Sequence, residues 1–455
     1  MGPTSPASVE AGRASPPLAA GRRRRRRPVP VAIVVVVAVV AGIAIGRFLT
    51  YEAPADRVAS SPSLEQGVAA LEQRVAADPT DVEAWQALGI AYLQRAAEVG
   101  DPAFYDLAGR AFDRAEELAP GEPDTLLGRG ALALALHRFP EALELGQQVT
   151  SALPSSADAL AVLVDAQVEM GHYDDAEVSL QRMLDLRPGL PALARASYLR
   201  ELHGDLAGAV EAMTRAEAAG SSPFEISNVA TLLGDLHFRL GDLEAANADY
   251  DRALRASPGT VAAEVGRARV LAAQGQVEPA VELLVEVVDR FPAPEAVILI
   301  GDLQMRLGRT AEAAESYALV EAIASLQEDA GQVVDLEMAV FGADRGDDPP
   351  AAVELARRAY EQRPDAVYAA DALAWALLRA GDPSAAAAPI EQALRLGTAD
   401  PLVRFHAAEV FFALGDTGRA RAELQQALAG TPWFSFRHHD RALALAGELG
   451  VTPGN

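Results

Sequence analysis

Residues 81–120, DVEAWQALGIAYLQRAAEVGDPAFYDLAGRAFDRAEELAP, contain the pattern that decides the fold. Two apolar stretches there have the three- and four-residue spacing of amphipathic helices. Gly100 lies between the two stretches and Pro120 closes the second, where these residue types permit a turn and end a helix. The stretch therefore predicts a helical hairpin. Its most informative positions are Trp85, Leu88, Gly89, Tyr92, Ala108, Phe112 and Ala115.

The same hairpin recurs along the chain with a period near 34 residues. Glycines follow successive apolar stretches, an alanine comes five residues after most of them, and a larger apolar residue comes four residues later. Glycine allows the turn, alanine lets two helices approach closely, and the larger residue fills the gap. We therefore predict ten hairpins between about Asp81 and Pro432, stacked into an α-solenoid. The turn glycines are Gly171, Gly204, Gly241, Gly275, Gly308, Gly346, Gly381 and Gly415.

This pattern resembles the tetratricopeptide repeat (TPR) family, in which helix A carries Trp, Leu-Gly and Tyr and helix B carries Ala, Phe, Ala and Pro. The resemblance implies an all-α fold with a TPR solenoid at 81–432, whose A helices line a concave peptide-binding face. The first unit has about seven extra residues around Gly100, and the unit after Glu321 departs most from the pattern. We expect a capping half-repeat at 63–80 and a C-terminal capping helix and tail at 433–455.

The charge of the chain is unevenly distributed. The formal net charge is −25, all 39 cationic residues are arginine, and lysine and cysteine are absent. Six arginines form the run Arg22–Arg27, directly before the uncharged stretch PVPVAIVVVVAVVAGIAIG at 28–46. As a helix, such a stretch would span roughly 28 Å, close to the hydrocarbon core of a bilayer. We therefore predict a disordered arginine-rich cytoplasmic tail at 1–27, a transmembrane helix at 28–49 and a linker at 50–62.

The arginine run also predicts the orientation of this single-pass anchor. The positive-inside rule keeps the N-terminus in the cytoplasm, with Arg22–Arg27 at anionic headgroups, and places the repeats on the extracytoplasmic side of the cell membrane. A cleaved signal peptide and a buried helix of a soluble protein remain alternatives. The long leader and the length of the apolar run favour the anchor. The acidic remainder of the chain repels phosphate, which argues against a nucleic-acid partner.

Composition and motifs argue against an enzyme. Without cysteine and lysine the chain has no thiolate nucleophile, cysteine-ligated metal, Schiff base or P-loop. It contains no HExxH or GxSxG motif, and only 23 residues follow Pro432, too few for a catalytic domain. We expect no catalytic residue, cofactor or metal. We interpret the pair His438-His439 as part of a solvated cap, and the remaining histidines near hairpin turns as solvated residues: His137, His172 and His203.

The inward positions of the A helices indicate a protein or peptide partner. A carboxylate clamp of the kind known in the TPR family needs lysine, so this chain cannot build one. From the fourth unit onward these positions instead carry aromatic residues, methionine and arginine, which are enriched in protein interfaces. The alternative that single members pack between hairpins stays open. The predicted partner-binding groove consists of Tyr198, Phe238, Arg239, Arg269, Met305, Arg306, Tyr368, Trp375, Arg379, Phe405 and Phe412.

A narrower resemblance lies at the start of the repeats. A single anchor followed by LEQGVAALEQRVAADPTDVEAWQALGIAYL at 64–93 resembles the membrane-anchored TPR subunit of bacterial cytochrome c maturation systems. That resemblance implies capture of unfolded apocytochrome near the haem-attachment machinery, although this chain has more repeats than is usual in that family. The sequence thus predicts a membrane-tethered TPR scaffold for a polypeptide. Cytochrome c maturation and the assembly of envelope or secretion machinery are its two more specific alternatives.

Overall fold

The computed structural model describes residues 64–220 and 222–454, together with Gly2. Within these residues the fold is all-α, with 22 helices and no strand. Ten hairpins follow one another, each made of an A helix and a B helix. The A helices are α2 (Val82–Val99), α4 (Pro123–Ala135), α6 (Ala157–Glu169), α8 (Leu190–Leu202), α10 (Pro223–Leu240), α12 (Val261–Ala273), α14 (Pro294–Arg306), α16 (Asp335–Arg345), α18 (Val367–Arg379) and α20 (Pro401–Ala413).

Each B helix follows its A helix after a tight turn, and single helices flank the ten hairpins. The flanking helices are α1 (Leu64–Ala77) and α22 (His439–Leu449). The B helices are α3 (Ala103–Leu118), α5 (Phe139–Ala152), α7 (Tyr173–Leu186), α9 (Leu206–Ala219), α11 (Leu243–Ala256), α13 (Val277–Arg290), α15 (Thr310–Asp329), α17 (Pro349–Gln362), α19 (Pro383–Ala393) and α21 (Thr417–Ala427).

Several turns within the hairpins are built from glycine followed by an aspartate that caps the next helix. Gly241 has φ 85°, the left-handed conformation that glycine adopts without a Cβ clash. Asp242 comes next, and its carboxylate accepts a hydrogen bond from the backbone N–H of Ala245 in the first turn of α11. The glycine thus ends one helix and the aspartate starts the next, which explains the regular spacing of this pair along the chain.

A large side chain from each of several B helices fills the gap between two successive A helices. The Tyr250 ring lies so close to Gly234 and Gly266 that a Cβ at either glycine would come within 2.5 Å of it. The Tyr250 hydroxyl donates a hydrogen bond to Asp235 at 2.7 Å. Phe112 lies in the same way between Gly89 and Gly128. The glycine of the Leu-Gly pair is therefore required for packing between repeats.

The A helices form the inner, concave side of the solenoid. Each of several A helices contacts the A helix of the next repeat, as in the pairs α2/α4, α16/α18 and α18/α20, whereas the main contacts of the B helices are with A helices. The closer spacing of the A helices curves the stack toward them. Side chains on the free face of the A helices therefore point into the superhelix.

Successive turns of the superhelix touch one another along a seam. Hairpin turns of the first half lie against loops that come about 194 residues later, between hairpins of the second half. Arg138 donates two hydrogen bonds to the carbonyl of Gly331, and the backbone N–H of Val333 donates to Leu136. Gly171 and Gly204 lie directly against the later loops, whereas Gly275 has no such neighbour within 4 Å.

A buried ion pair crosses the seam. The Arg363 guanidinium lies 2.6 Å from the Glu169 carboxylate, and both side chains are almost fully buried. The same guanidinium covers the ring of Phe139 at 4.6 Å. Tyr173 adds a neutral contact, because its hydroxyl accepts a hydrogen bond from the backbone N–H of Val367. The seam thus combines charge, hydrogen bonds and close backbone contact.

The α-solenoid predicted from the repeats is confirmed. The irregular unit after Glu321 corresponds to the long helix α15, the short helix α16 and a turn at Gly346 with φ 72°. The predicted tail at 1–27, transmembrane helix at 28–49 and linker at 50–62 lie outside the described residues, apart from Gly2. Of the helices within the described ranges, none has both the length and the apolar character needed to cross a bilayer.

Candidate peptide-binding face

A non-helical segment of the chain itself lies on the concave side of the second half. Residues 431–438, TPWFSFRH, follow α21 without helical structure and run along the inner face before α22 begins. We call them the inserted segment. Their contacts reach α14, α16, α18 and α20. Part of the inner face of the second half is therefore covered by a segment of the same chain.

Aromatic rings anchor the inserted segment. Trp433 stacks on His439 with ring centroids 3.5 Å apart, and the Arg306 guanidinium lies 4.8 Å from the Trp433 ring. Phe434 packs against Phe405, with centroids 5.7 Å apart. Phe436 is buried in the cluster formed by α12, α13 and α14. Trp433 and Phe436 thus stack on each other at one point, next to α14, and Phe434 is held at a second point, on α20.

Polar contacts with backbone carbonyls and with a carboxylate fix the orientation of the inserted segment on the face. Arg306 donates to the carbonyl of Phe436 at 3.4 Å, a contact that does not depend on the side chain at that position. Arg437 donates to the backbone carbonyl of Asp344 and lies 3.6 Å from the Asp302 carboxylate. Burial raises the pKa of Asp302 to about 6, against the hydrogen bond from Tyr317 and the charge of Arg437. The face thus presents carboxylates to a cationic peptide side chain.

Asp344 is the most heavily used acceptor on this face. Its Oδ1 lies 2.9 Å from His438 Nε2 and accepts a hydrogen bond from Trp375 Nε1 at 2.8 Å. Burial alone would raise the pKa of this carboxyl, but the charge of His438 and the hydrogen bonds from His438 and Trp375 outweigh it and lower the pKa. An ionised Asp344 therefore connects the inserted segment to α18.

Three of the predicted groove residues are buried. Phe238 and Phe405 are fully enclosed, and only 3% of Trp375 is exposed. The expectation that a partner contacts these side chains directly does not hold in this conformation, because the hairpins and the inserted segment cover them. The Trp375 ring stacks on His406 with centroids 4.1 Å apart. Its structural role is to support that histidine and to donate to Asp344.

A second group of predicted residues meets close to the seam. Arg239 pairs with Glu201 at 2.8 Å and lies 3.9 Å from Asp400, whose carboxylate is 3.5 Å from the Tyr368 hydroxyl. Burial raises the pKa of Glu201 to about 7, against the charge of Arg239. Burial also raises the pKa of Tyr368, helped by the Asp400 charge. Tyr198 is half-buried and packs on the neighbouring hydrophobic cluster.

The remaining predicted residues have accessible surface. Met305 is 45% exposed at the end of α14, next to Arg306. Arg379 is exposed, donates to the carbonyl of Ala343 and lies over the Trp375 ring. Arg269 covers Phe238 at 4.2 Å, and Phe412 is half-buried under Arg441. These side chains form an accessible border around the covered part of the face.

The histidines differ from the sequence expectation. His172 and His203 are exposed, but His137 is buried and its Nδ1 lies 2.8 Å from the carbonyl of Val333 across the seam. His438, the last residue of the inserted segment, and His439, the first residue of α22, are buried instead of being solvated, so that interpretation is wrong for both. Burial lowers the pKa of His137 to about 4, although the hydrogen bond to Val333 acts in the opposite direction. The ring is therefore neutral.

His406 and Asp371 were not recognised in the sequence. The His406 ring is fully buried on α20, and its Nδ1 lies 3.0 Å from both carboxylate oxygens of Asp371 on α18. Ligand atoms of Asp344, His406 and His438 all lie within 4.8 Å of one another. This cluster unites two A helices other than α18 with the inserted segment. Its members are 62 and 32 residues apart in the chain, so no local motif connects them.

Comparisons with known proteins agree with the repeat pattern. Models of the tetratricopeptide repeat match residues 133–197, 231–284, 265–328, 343–402 and 372–433, which together exceed half of the chain. No curated protein matches the sequence.

Solved structures resemble the fold at low identity. A thermophilic TPR protein of Thermus thermophilus is 22% identical, with a TM-score of 0.36 over 40% of this chain and 99% of its own. A tetratricopeptide repeat protein of Parabacteroides merdae is 19% identical, with a TM-score of 0.34; the match covers 57% of this chain and 98% of the other. A chain of the human IFIT1 dimer is 15% identical, with a TM-score of 0.47; the match covers 73% of this chain and 78% of the other.

Proposed function

Since the chain belongs to the tetratricopeptide repeat family, we propose that it is a membrane-tethered scaffold whose concave face holds a polypeptide partner on the extracytoplasmic side. The observation that carries this proposal is the inserted segment. A surface that contacts one non-helical segment through aromatic rings and a backbone carbonyl has the chemistry to bind another such segment. The partner then binds by replacing residues 431–438.

The contacts of the inserted segment define the chemistry of that partner. Its rings lie against Phe405 and Arg306, and its Arg437 faces Asp302 and the backbone of Asp344. A peptide that combines aromatic and basic side chains satisfies the same positions. The net charge of −25 also attracts a basic partner over longer distances. We therefore infer an extended segment rich in aromatic residues and arginine or lysine.

The membrane tether and the orientation rest on the sequence. The run Arg22–Arg27 before the apolar stretch at 28–46 supports a single anchor with a cytoplasmic N-terminus. The resemblance at 64–93 to the cytochrome c maturation subunit supports unfolded apocytochrome as one partner class. Proteins of envelope or secretion assembly form the other class, and the scaffold role is the same for both.

Site-specific photo-crosslinking in membranes of the native host tests the groove. A photoreactive residue replaces Met305, which is 45% exposed and precedes Arg306 in the chain, and in a control it replaces Leu319, which is 40% exposed on α15. We expect Met305 to capture a protein that Leu319 does not, and excess peptide TPWFSFRHH to suppress this capture while a scrambled peptide does not. Equal capture at both positions, or capture that the peptide leaves unchanged, would contradict binding by replacement.

Thiol labelling tests the orientation. The chain has no native cysteine, so a cysteine placed at the exposed Thr452 is the only reactive thiol. We expect a membrane-impermeant maleimide to label it in spheroplasts whose inner membrane is intact. Labelling only after lysis of that membrane would place the repeats in the cytoplasm. This result would overturn the orientation and leave the peptide-binding proposal standing.

A further inference from the structure

The fully buried His406 has one ring nitrogen in use and one without a partner. Its Nδ1 lies 3.0 Å from both oxygens of Asp371, so this nitrogen carries a proton that it donates to the carboxylate. Nε2 is buried and has no hydrogen-bond partner among the described residues. A buried polar nitrogen that is left unpaired costs stability unless something binds it. The geometry of His406 therefore points to an unfilled ligand position.

Two further potential ligands lie next to His406. Each of Asp344, His406 and His438 offers a ligand atom, and these three atoms lie within 4.8 Å of one another. His438 Nε2 and Asp344 Oδ1 are 2.9 Å apart. Because Asp371 engages Nδ1 of His406, Nε2 is the nitrogen that we infer His406 would offer to an ion. Among the described residues, the ion pairs of Asp344 and Asp371 are made with these histidines. Neither carboxylate is paired with an arginine among the described residues; Arg437 bonds to the backbone carbonyl of Asp344 and not to its carboxylate.

We propose that Asp344, His406 and His438 bind a divalent transition-metal ion of the zinc type. Two imidazole nitrogens and one carboxylate oxygen form a ligand set that zinc uses, with a fourth position open to water. Asp371 acts as a positioning residue, because a carboxylate that accepts the Nδ1 proton of a histidine orients Nε2 toward the metal. The stack of Trp375 on His406 fixes the plane of the ring.

The dimensions of the cluster agree with this assignment after a small closure. Ligand atoms around a tetrahedral zinc lie about 3.3 Å apart, given bond lengths near 2.0 Å. The largest separation in the cluster is at most 4.8 Å, so side-chain movements of about 1 Å bring the ligand atoms into place. Binding also replaces the proton that His438 Nε2 donates to Asp344, and this proton is released to solvent. The side chains of His438 and Asp344 are 11% and 19% exposed, which gives a cation a path from the concave face. His438 belongs to the inserted segment, so the metal would tie this segment to α16 and α20.

Metal titration of the purified full chain, without a polyhistidine tag and after removal of metal with a chelator, tests the site. Cobalt(II) serves as a probe because its visible absorption reports tetrahedral coordination, and zinc affinity is measured by competition with a chromogenic chelator. We expect one ion per chain. His438→Gln and Asp344→Asn should each remove the cobalt spectrum, whereas His172→Gln, at an exposed histidine, should leave it unchanged.

The Asp371→Asn variant tests whether Asp371 orients His406 for metal binding or only packs against it. We expect it to weaken zinc binding by about 10–100-fold with little change in the helical circular dichroism. His406→Gln should abolish binding, and His438→Gln provides the same test on a partly accessible side chain if the buried substitution prevents folding. A missing cobalt spectrum in the wild type, or a spectrum that survives both His438→Gln and Asp344→Asn, would overturn the proposal. In that case a buried water would be the partner of His406 Nε2.

Discussion

Gly171 and Asp365, which are far apart in the chain, touch across the seam. A Cβ on Gly171 would lie 2.2 Å from the carbonyl carbon of Asp365, closer than any real contact of that kind. Gly171 also has φ 78°, so both its backbone conformation and its surroundings exclude a side chain. The turn of the third hairpin is therefore fitted to the loop between the eighth and ninth hairpins.

Alanine substitutions at two turn glycines should separate these two requirements. Gly275 has φ 82° but no neighbour within 4 Å, so Gly275→Ala meets only the backbone penalty, about 1 kcal/mol. Gly171→Ala must in addition push the later loop away. We expect a clearly larger loss in the free energy of unfolding for Gly171→Ala, together with a larger radius of gyration in small-angle scattering. Equal losses and unchanged radii would show that the seam is open in solution.

Neutralising Glu169 should destabilise the protein strongly. Glu169→Gln removes the one carboxylate in direct contact with the buried Arg363 guanidinium among the described residues and leaves only the charge of Glu337 near it; breaking a buried pair costs about 3–5 kcal/mol. The matched control is Glu391→Gln, which breaks the exposed pair with Arg419 and should cost less than about 1 kcal/mol. Chemical denaturation of both variants measures the difference. Similar values would mean that water reaches the seam.

Stability should depend on pH through Glu337 on α16. Burial raises its pKa to about 7, against the charge of Arg363. The folded state then binds a proton that the unfolded state releases above its ordinary pKa, so this residue lowers stability as the pH rises from about 4.5 to 7. Glu337→Gln should raise the melting temperature at about pH 8 and change it little at about pH 4.5. The exposed Glu312→Gln is the control, and an equal effect of both variants at all pH values would contradict the assignment.

Trp375 and Phe412 should differ in how much they contribute to stability. Trp375→Ala empties a buried site and removes the hydrogen bond to Asp344, at a cost of about 3–5 kcal/mol. Phe412 is half-buried, so Phe412→Ala should cost less while weakening partner binding at the accessible border. Thermal unfolding and the crosslinking yield at Met305 distinguish the two effects. If Trp375→Ala left the melting temperature unchanged, Trp375 would not be a packing residue and would belong with the accessible residues of the predicted groove.

The hairpins could be predicted from the sequence because each is specified locally. Gly241-Asp242 determines a turn, and Tyr250 with Gly234 determines how two helices pack, all within one period of the repeat. The seam has no such signal. Arg138 and Gly331 belong to ordinary turns, and their contact depends on the small rotation between hairpins, summed over several repeats.

The candidate site was only partly predictable for a related reason. The aromatic residues and arginines of the A helices indicated a peptide-binding face, but a pattern based on repeats says nothing about a segment that does not repeat. The inserted segment buries Trp375 and Phe405, and it brings His438 to His406. Adjacent histidines in the sequence pointed to a solvated pair, whereas the spatial partner of His438 comes from another helix.

The seam also determines how the molecule responds to pulling. In an open superhelix each hairpin rotates slightly against its neighbour, and the whole stack stretches like a soft spring. In this protein, any extension must first break the hydrogen bonds from Arg138 to Gly331 and from Arg363 to Glu169. These bonds join one turn of the superhelix to the next. We therefore expect the molecule to be stiff at low pulling force and to lengthen abruptly once these bonds break.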